Sequence, residues 1–122
     1  MQAKIHNKQL LIKLKKHEKF FGFRGNFSIP LKNIKSSKVV GPQIAFWAIR
    51  FPAGTHLPGV IRAGHYWSKE FGREWWYVTK SNKVQLELIL KDEVYGKVVL
   101  GFESESDVPK ELLKLAFFLT KQ

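Results

Sequence analysis

The cations come first. Lys13, Lys15, Lys16 and Lys19 fall close together, with Arg24 just behind them. Leu10, Ile12 and Leu14 alternate through Lys8 to Lys16, with Leu11, Lys13 and Lys15 between them. Period-two spacing turns one set inward and leaves the other as a largely basic face. Such a stripe can meet nucleic-acid phosphates, an anionic lipid surface or an acidic protein. Binding to single strands also needs aromatics set among the cations, and Phe20, Phe21 and Phe23 lie in the right place. A phenylalanine cluster serves a core equally well.

Other residue types offer less. His6, His17, His56 and His65 have no metal-ligand spacing. His65 is expected on an inward strand face with a local hydrogen-bond partner. His56 is expected at the tip of a loop running from Pro52 to Gly59, which makes it, with Arg62, a candidate contact for a partner. Of the carboxylates only Glu103, Glu105 and Asp107 cluster, where a helix would begin and favour negative charge. No nucleophile elbow, phosphate-binding glycine loop or dinucleotide fingerprint is present, and there is no cysteine. No catalytic residue, metal ligand or cofactor is assigned, and the chain reads as a non-enzyme.

Trp75 and Trp76 are adjacent, so on a strand they point to opposite faces. One faces outward unless other parts of the chain cover it. Both are therefore candidate partner contacts until the faces are assigned.

The net charge is +11, and it is unevenly placed. Residues 1–50 hold eleven Lys or Arg and one acid, Glu18, whereas residues 51–122 hold ten bases and nine acids. The field of the first half attracts polyanions. A chain of 122 residues, 44% of them hydrophobic, is expected to be one domain spanning 1–122. The basic N-terminus has no apolar core of a signal peptide, and no apolar run approaches a membrane span. The expectation is a soluble cytoplasmic protein.

Those residues need elements to hold them. A strand is expected over Lys8–Lys16, then a short helical turn within His17–Gly25. Phe27, Ile29 and Leu31 alternate, with Pro30 marking an edge or bulge. Ile34, Val39 and Val40 resume a strand, Gly41-Pro42 turns, and 46–50 form another strand. After the Pro52–Gly59 loop, Val60 to Trp67 alternates, with Ile61, Ala63, His65 and Trp67 on one face. Residues 69–72 form a hairpin loop and 74–80 return. Ser81-Asn82 turns the chain into the longest apolar alternation, Val84, Leu86, Leu88 and Leu90. Residues 97–103 form the last strand. Ser106, Asp107, Pro109 and Glu111 open a C-terminal helix over 107–121, with Leu112, Leu115, Ala116 and Leu119 on one face. Short links between successive strands favour an antiparallel meander.

Three pieces of this chain resemble a group of small bacterial proteins with a pleckstrin-homology-like (PH-like) fold: residues 25–34 (GNFSIPLKNI), 52–64 with 72–78 (PAGTHLPGVIRAG, GREWWYV), and 86–108 (LELILKDEVYGKVVLGFESESDV). The resemblance covers most of the chain. It implies a mainly β protein: a seven-stranded antiparallel barrel of two orthogonal sheets, closed by one C-terminal α-helix. It brings no activity, substrate or partner. PH domains that grip phosphoinositides carry a basic-x-Arg element on the first hairpin; here the residue two before Arg24 is Gly22.

The functional expectation is a non-enzymatic binding or adaptor module with a basic, anion-facing surface at Lys13, Lys15, Lys16, Lys19 and Arg24. Its partner would be a protein or an anionic lipid surface, and pairing of sheet edges between copies would make a homo-oligomer. The alternative is a small β-barrel nucleic-acid-binding protein. An enzyme ranks third and would need a pocket with polar groups converging around His56, His65, Arg62 or Glu74.

Overall fold

The computed structural model describes residues 1–22, 25–40, 53–57, 61–79 and 82–112. They form a mainly β architecture of two sheets. β1 (Gln2–His6), β2 (Gln9–Lys13) and β3 (Phe27–Pro30) make an antiparallel three-stranded sheet in that order. Between β2 and β3 lies helix α1 (Lys16–Gly22), the expected short helical turn. Pro30 ends β3, an edge strand, where its missing N–H costs no ladder bond.

β1 is absent from the sequence expectation. Its alternation is weak, since Ala3 and Ile5 are only half-buried. It exists because β2 gives it a partner: Ile5 lies opposite Leu10, and Ala3 opposite Ile12. Asn7 and Lys8 turn the chain between the two strands, both with positive φ.

The second sheet holds β4 (Ile34–Val40), β5 (Ala53–Leu57), β6 (Ile61–Ser68), β7 (Gly72–Thr79), β8 (Val84–Leu90) and β9 (Lys97–Phe102). Its order is β4-β8-β9-β7-β6-β5. Every pairing is antiparallel except β7 with β9, which is parallel. The seven-stranded antiparallel barrel is thus corrected. The sheets hold three and six strands, the larger one is mixed, and the described residues close no barrel.

The parallel pair has a specific cause. β7 and β8 are joined by a short link, yet they are not neighbours, because β9 lies between them. The link must therefore pass the end of β9. Asn82 fastens it: its Oδ1 accepts the Thr79 N–H at 2.7 Å, and Lys83 N–H donates to the Phe102 carbonyl at 3.0 Å. Beneath Asn82 lies Gly101 of β9, where any Cβ would overlap the Asn82 side chain. A meander pairs consecutive strands; this crossing does not, and turn residues alone cannot distinguish the two.

The Pro52–Gly59 loop is also corrected. Residues 53–57 are β5, paired with β6 so that His56 lies opposite Arg62 and Gly54 opposite Gly64. Prolines and glycines at both ends disguised a five-residue edge strand as loop. The β6–β7 hairpin turns where expected, with Gly72 at φ +74° as the left-handed residue that lets the strands close. The expected strand at 46–50 and the turn at Gly41-Pro42 lie outside the described residues. So does most of the C-terminal helix: residues 110–112 are helical, preceded by a separate 3-10 turn at Glu105–Asp107 whose Asp107 carboxylate accepts the Ser104 N–H at 3.3 Å.

One core joins both sheets. Leu10, Ile12 and Ile29 of the small sheet meet Trp75, Leu86, Leu88, Val98 and Leu100 of the large one. Phe27 packs edge-on against Trp75 with ring centroids 5.4 Å apart. Val108 and Leu112 join the same core, and the Ser37 hydroxyl donates to the Leu112 carbonyl at 3.0 Å.

The crossing gives a testable prediction. Gly101→Ala should destabilise the fold by roughly 1–3 kcal/mol, the usual cost of overpacking. In an Asn82→Gly background the same change should cost less, because its obstacle is gone. Urea unfolding of the four variants measures the coupling; additive effects would separate Asn82 from Gly101.

Candidate anion-binding surface and the adjoining pocket

The expected cations collect where β2 runs into α1. Lys13 lies on the outward face of β2, and Lys15, Lys16 and Lys19 follow through the first turn of the helix; all four are exposed. Lys4, missed in the sequence because β1 was missed, belongs with them. It lies opposite Leu11 on the same outward face, diagonal to Lys13. The signal was the alternation of Gln2, Lys4 and His6 with Ala3 and Ile5. Arg24 lies outside the described residues.

Glu18, the one acid of residues 1–50, does not share that surface. It is 8% exposed. Its Oε1 accepts the Lys15 N–H at 2.7 Å, the acidic half of a capping box, which fixes where α1 begins. Its Oε2 accepts from the Met1 ammonium at 2.9 Å. The acid is consumed internally, and it forms no ion pair with the lysine side chains around it.

Beside this corner opens a cavity of about 660 Å³. Lys15, His17 and Glu18 line one side of it, and Glu103 and Asp107, beyond β9, also border it. Tyr77, Thr79, Asn82 and Gly101 contribute the sheet and the crossing link. Tyr77 is 5% exposed. Burial, and after it the Glu18 carboxylate, pushes its phenol up to about 12. No sequence pattern pointed to Tyr77, whose partners arrive only through the pairing of β7 with β9.

The remaining candidates separate. Trp75 is fully buried, stacked with Tyr77 at 6.2 Å, and belongs to the core. Trp76 takes the opposite face and is half-buried. Its Nε1 donates to Glu74 Oε1 at 2.8 Å, and Lys97 Nζ lies 5.3 Å from its ring centroid. Lys97 also pairs with Glu87 at 3.4 Å. Among the described residues the exposed tryptophan is Trp67, at 59%, which alternation had placed on an inward face. It lies near the hairpin end, opposite Arg73. His65 has a hydrogen-bond partner that is remote in sequence, not local: its Nδ1 lies 2.8 Å from the Tyr95 hydroxyl. His56 and Arg62 are fixed only as backbone partners in β5 and β6. The described residues bring no three potential metal ligands together. Among them, too, no helix is long and apolar enough to cross a membrane.

Comparison with protein-family models, curated proteins and solved structures finds no match to this chain.

Tyr77 yields a pH prediction. The folded phenol keeps its proton to about 12, whereas an unfolded tyrosine loses it near 10. Its contribution to stability is intact below pH 10 and drains as pH rises towards 12. Tyr77→Phe should remove that component. Urea midpoints should fall more steeply over this window in the native protein than in the variant; identical slopes would place the phenol in contact with water.

Proposed function

We propose that this protein is a non-enzymatic binding module whose anion-facing surface is the corner between β2 and α1. One observation carries the reading. All six lysines of residues 1–22 are exposed, while the single acid among them is turned inward and already bonded. Among the described residues no ion pair involves Lys13, Lys15, Lys16 or Lys19. Unpaired like charges repel one another, and a polyanion relieves that repulsion while releasing its own counterions. The resemblance to PH-like proteins is compatible with a module that presents a charged surface, although the parallel β7–β9 pair departs from the all-antiparallel sheets it implies. An anionic lipid surface or an acidic protein is the partner this charge fits. Single-stranded nucleic acid would also require aromatics beside Lys13 and Lys16.

The test is flotation with vesicles containing an anionic phospholipid, alongside an oligonucleotide, at about 50 mM salt where screening is weak. The native protein should bind the vesicles. Lys13→Glu, Lys15→Glu and Lys16→Glu together should abolish binding without changing the unfolding midpoint by much, since exposed substitutions usually fall within about 0.5 kcal/mol. Binding to neither target would end the proposal. Binding to the oligonucleotide alone, with quenched tryptophan fluorescence, would replace it with the nucleic-acid reading.

A further inference from the structure

The cavity beside the lysine corner carries chemistry that a polyanion surface does not use. Its border is mostly polar, and its volume of about 660 Å³ lies in the range of small-ligand sites. The Tyr77 side chain borders it, 5% exposed, and among the described residues its hydroxyl has no hydrogen-bond partner. Buried hydroxyls are almost always satisfied, so one left open beside a cavity calls for an acceptor or donor from outside the chain. Around it stand basic and acidic side chains, on separate segments. Lys15 and His17 come from the start of α1, and Glu103 and Asp107 follow β9. Glu18 does not cancel Lys15, because its oxygens are engaged by the Lys15 N–H and the Met1 ammonium.

We propose that this cavity binds a small zwitterion of amino-acid or dipeptide size. Its carboxylate meets Lys15, His17 and the Tyr77 hydroxyl, and its ammonium meets Glu103 and Asp107. Tyr77 stays neutral at physiological pH and so donates to the carboxylate. Asp107 is already steadied by the Ser104 N–H, which holds it in place at the rim. A single-charge ligand would satisfy only one of the two groups of side chains. The site goes beyond the anion-facing surface: Lys13 and Lys16 do not line it.

The experiment is a titration of the isotope-labelled full chain, followed by amide NMR. The probes are the standard amino acids, alanyl-alanine, and the N-acetyl and C-amide forms of any that bind. Amides of Thr79, Asn82 and Gly101 should shift, and blocking either charged end should weaken binding about tenfold, the scale of a lost charge-assisted hydrogen bond. Tyr77→Phe should weaken it by a similar factor, as should the exposed change Glu103→Gln, which spares the core. Lys13→Glu with Lys16→Glu should leave it unchanged, which keeps this test apart from that of the anion surface. Free amino acids and the dipeptide are separate arms, and the tighter one assigns the ligand's length. No shift with any zwitterion up to about 10 mM would overturn the proposal. Equal binding of the blocked forms would do the same.

Discussion

The large sheet is organised by the crossing of the β7–β8 link past the end of β9, where the Asn82 side chain lies against Gly101. A link from β7 to β8 must cross the end of β9, and only a residue without a Cβ lets the Asn82 side chain lie there. Once that crossing is made, β9 can run parallel to β7 and antiparallel to β8 at the centre of the large sheet. The consequences spread from there. β9 buries Val98, Val99 and Leu100 almost completely, as a strand with neighbours on both sides should. The same crossing places Thr79, Asn82 and Gly101 at the edge of the cavity. The pocket is thus a by-product of how the sheet is threaded.

Trp75 then ties the two sheets together. Its ring contacts Phe27 from the small sheet and Tyr77 from its own strand. A buried tryptophan supplies a large share of the apolar area at such a junction. Strand geometry makes Trp76 take the other face. There it is managed by polar neighbours: Glu74 accepts from its indole, and the Lys97 ammonium lies over both Trp76 and Phe71. Lys97 is in register with Glu74 and paired with Glu87, so the half-buried face is electrically balanced. That balance is what the lysine corner lacks.

Local periodicity was a good guide wherever one face of a strand is buried and the other is wet. Leu10, Ile12 and Leu14, and Leu86, Leu88 and Leu90, are core residues as their alternation implied. It failed where the deciding contact is remote. β1 has little apolar content of its own and depends on β2. β5 was hidden by the glycines and prolines around it, although its Gly54 pairs in register with Gly64 of β6. Trp67 follows the period of Ala63 and His65, but the core ends before reaching it. The order of the large sheet was beyond local reading altogether, since Ser81-Asn82 signals a reversal and not which strand becomes the neighbour. The lysines of the site were legible because exposure needs no partner; Tyr77 was not, because a pocket does.

Charge at the corner is costly to the fold and contributes nothing to its core. Lys16 and Lys19 stand three apart on one helix, a spacing at which like charges destabilise by a few tenths of a kcal/mol. Lys13 and Lys4 add to the same field from the neighbouring strands. Glu18 could offset them from the surface, but it is spent fixing the helix start through the Lys15 backbone. Lys15 therefore plays two separable parts. Its N–H holds Glu18 inward, a role any residue but proline could fill, and its ammonium points to solvent beside the cavity. The fold requires the first and is indifferent to the second. Among the described residues, then, these side-chain charges stand at neighbouring positions without an ion-pair partner, and the packing of the fold does not call for them.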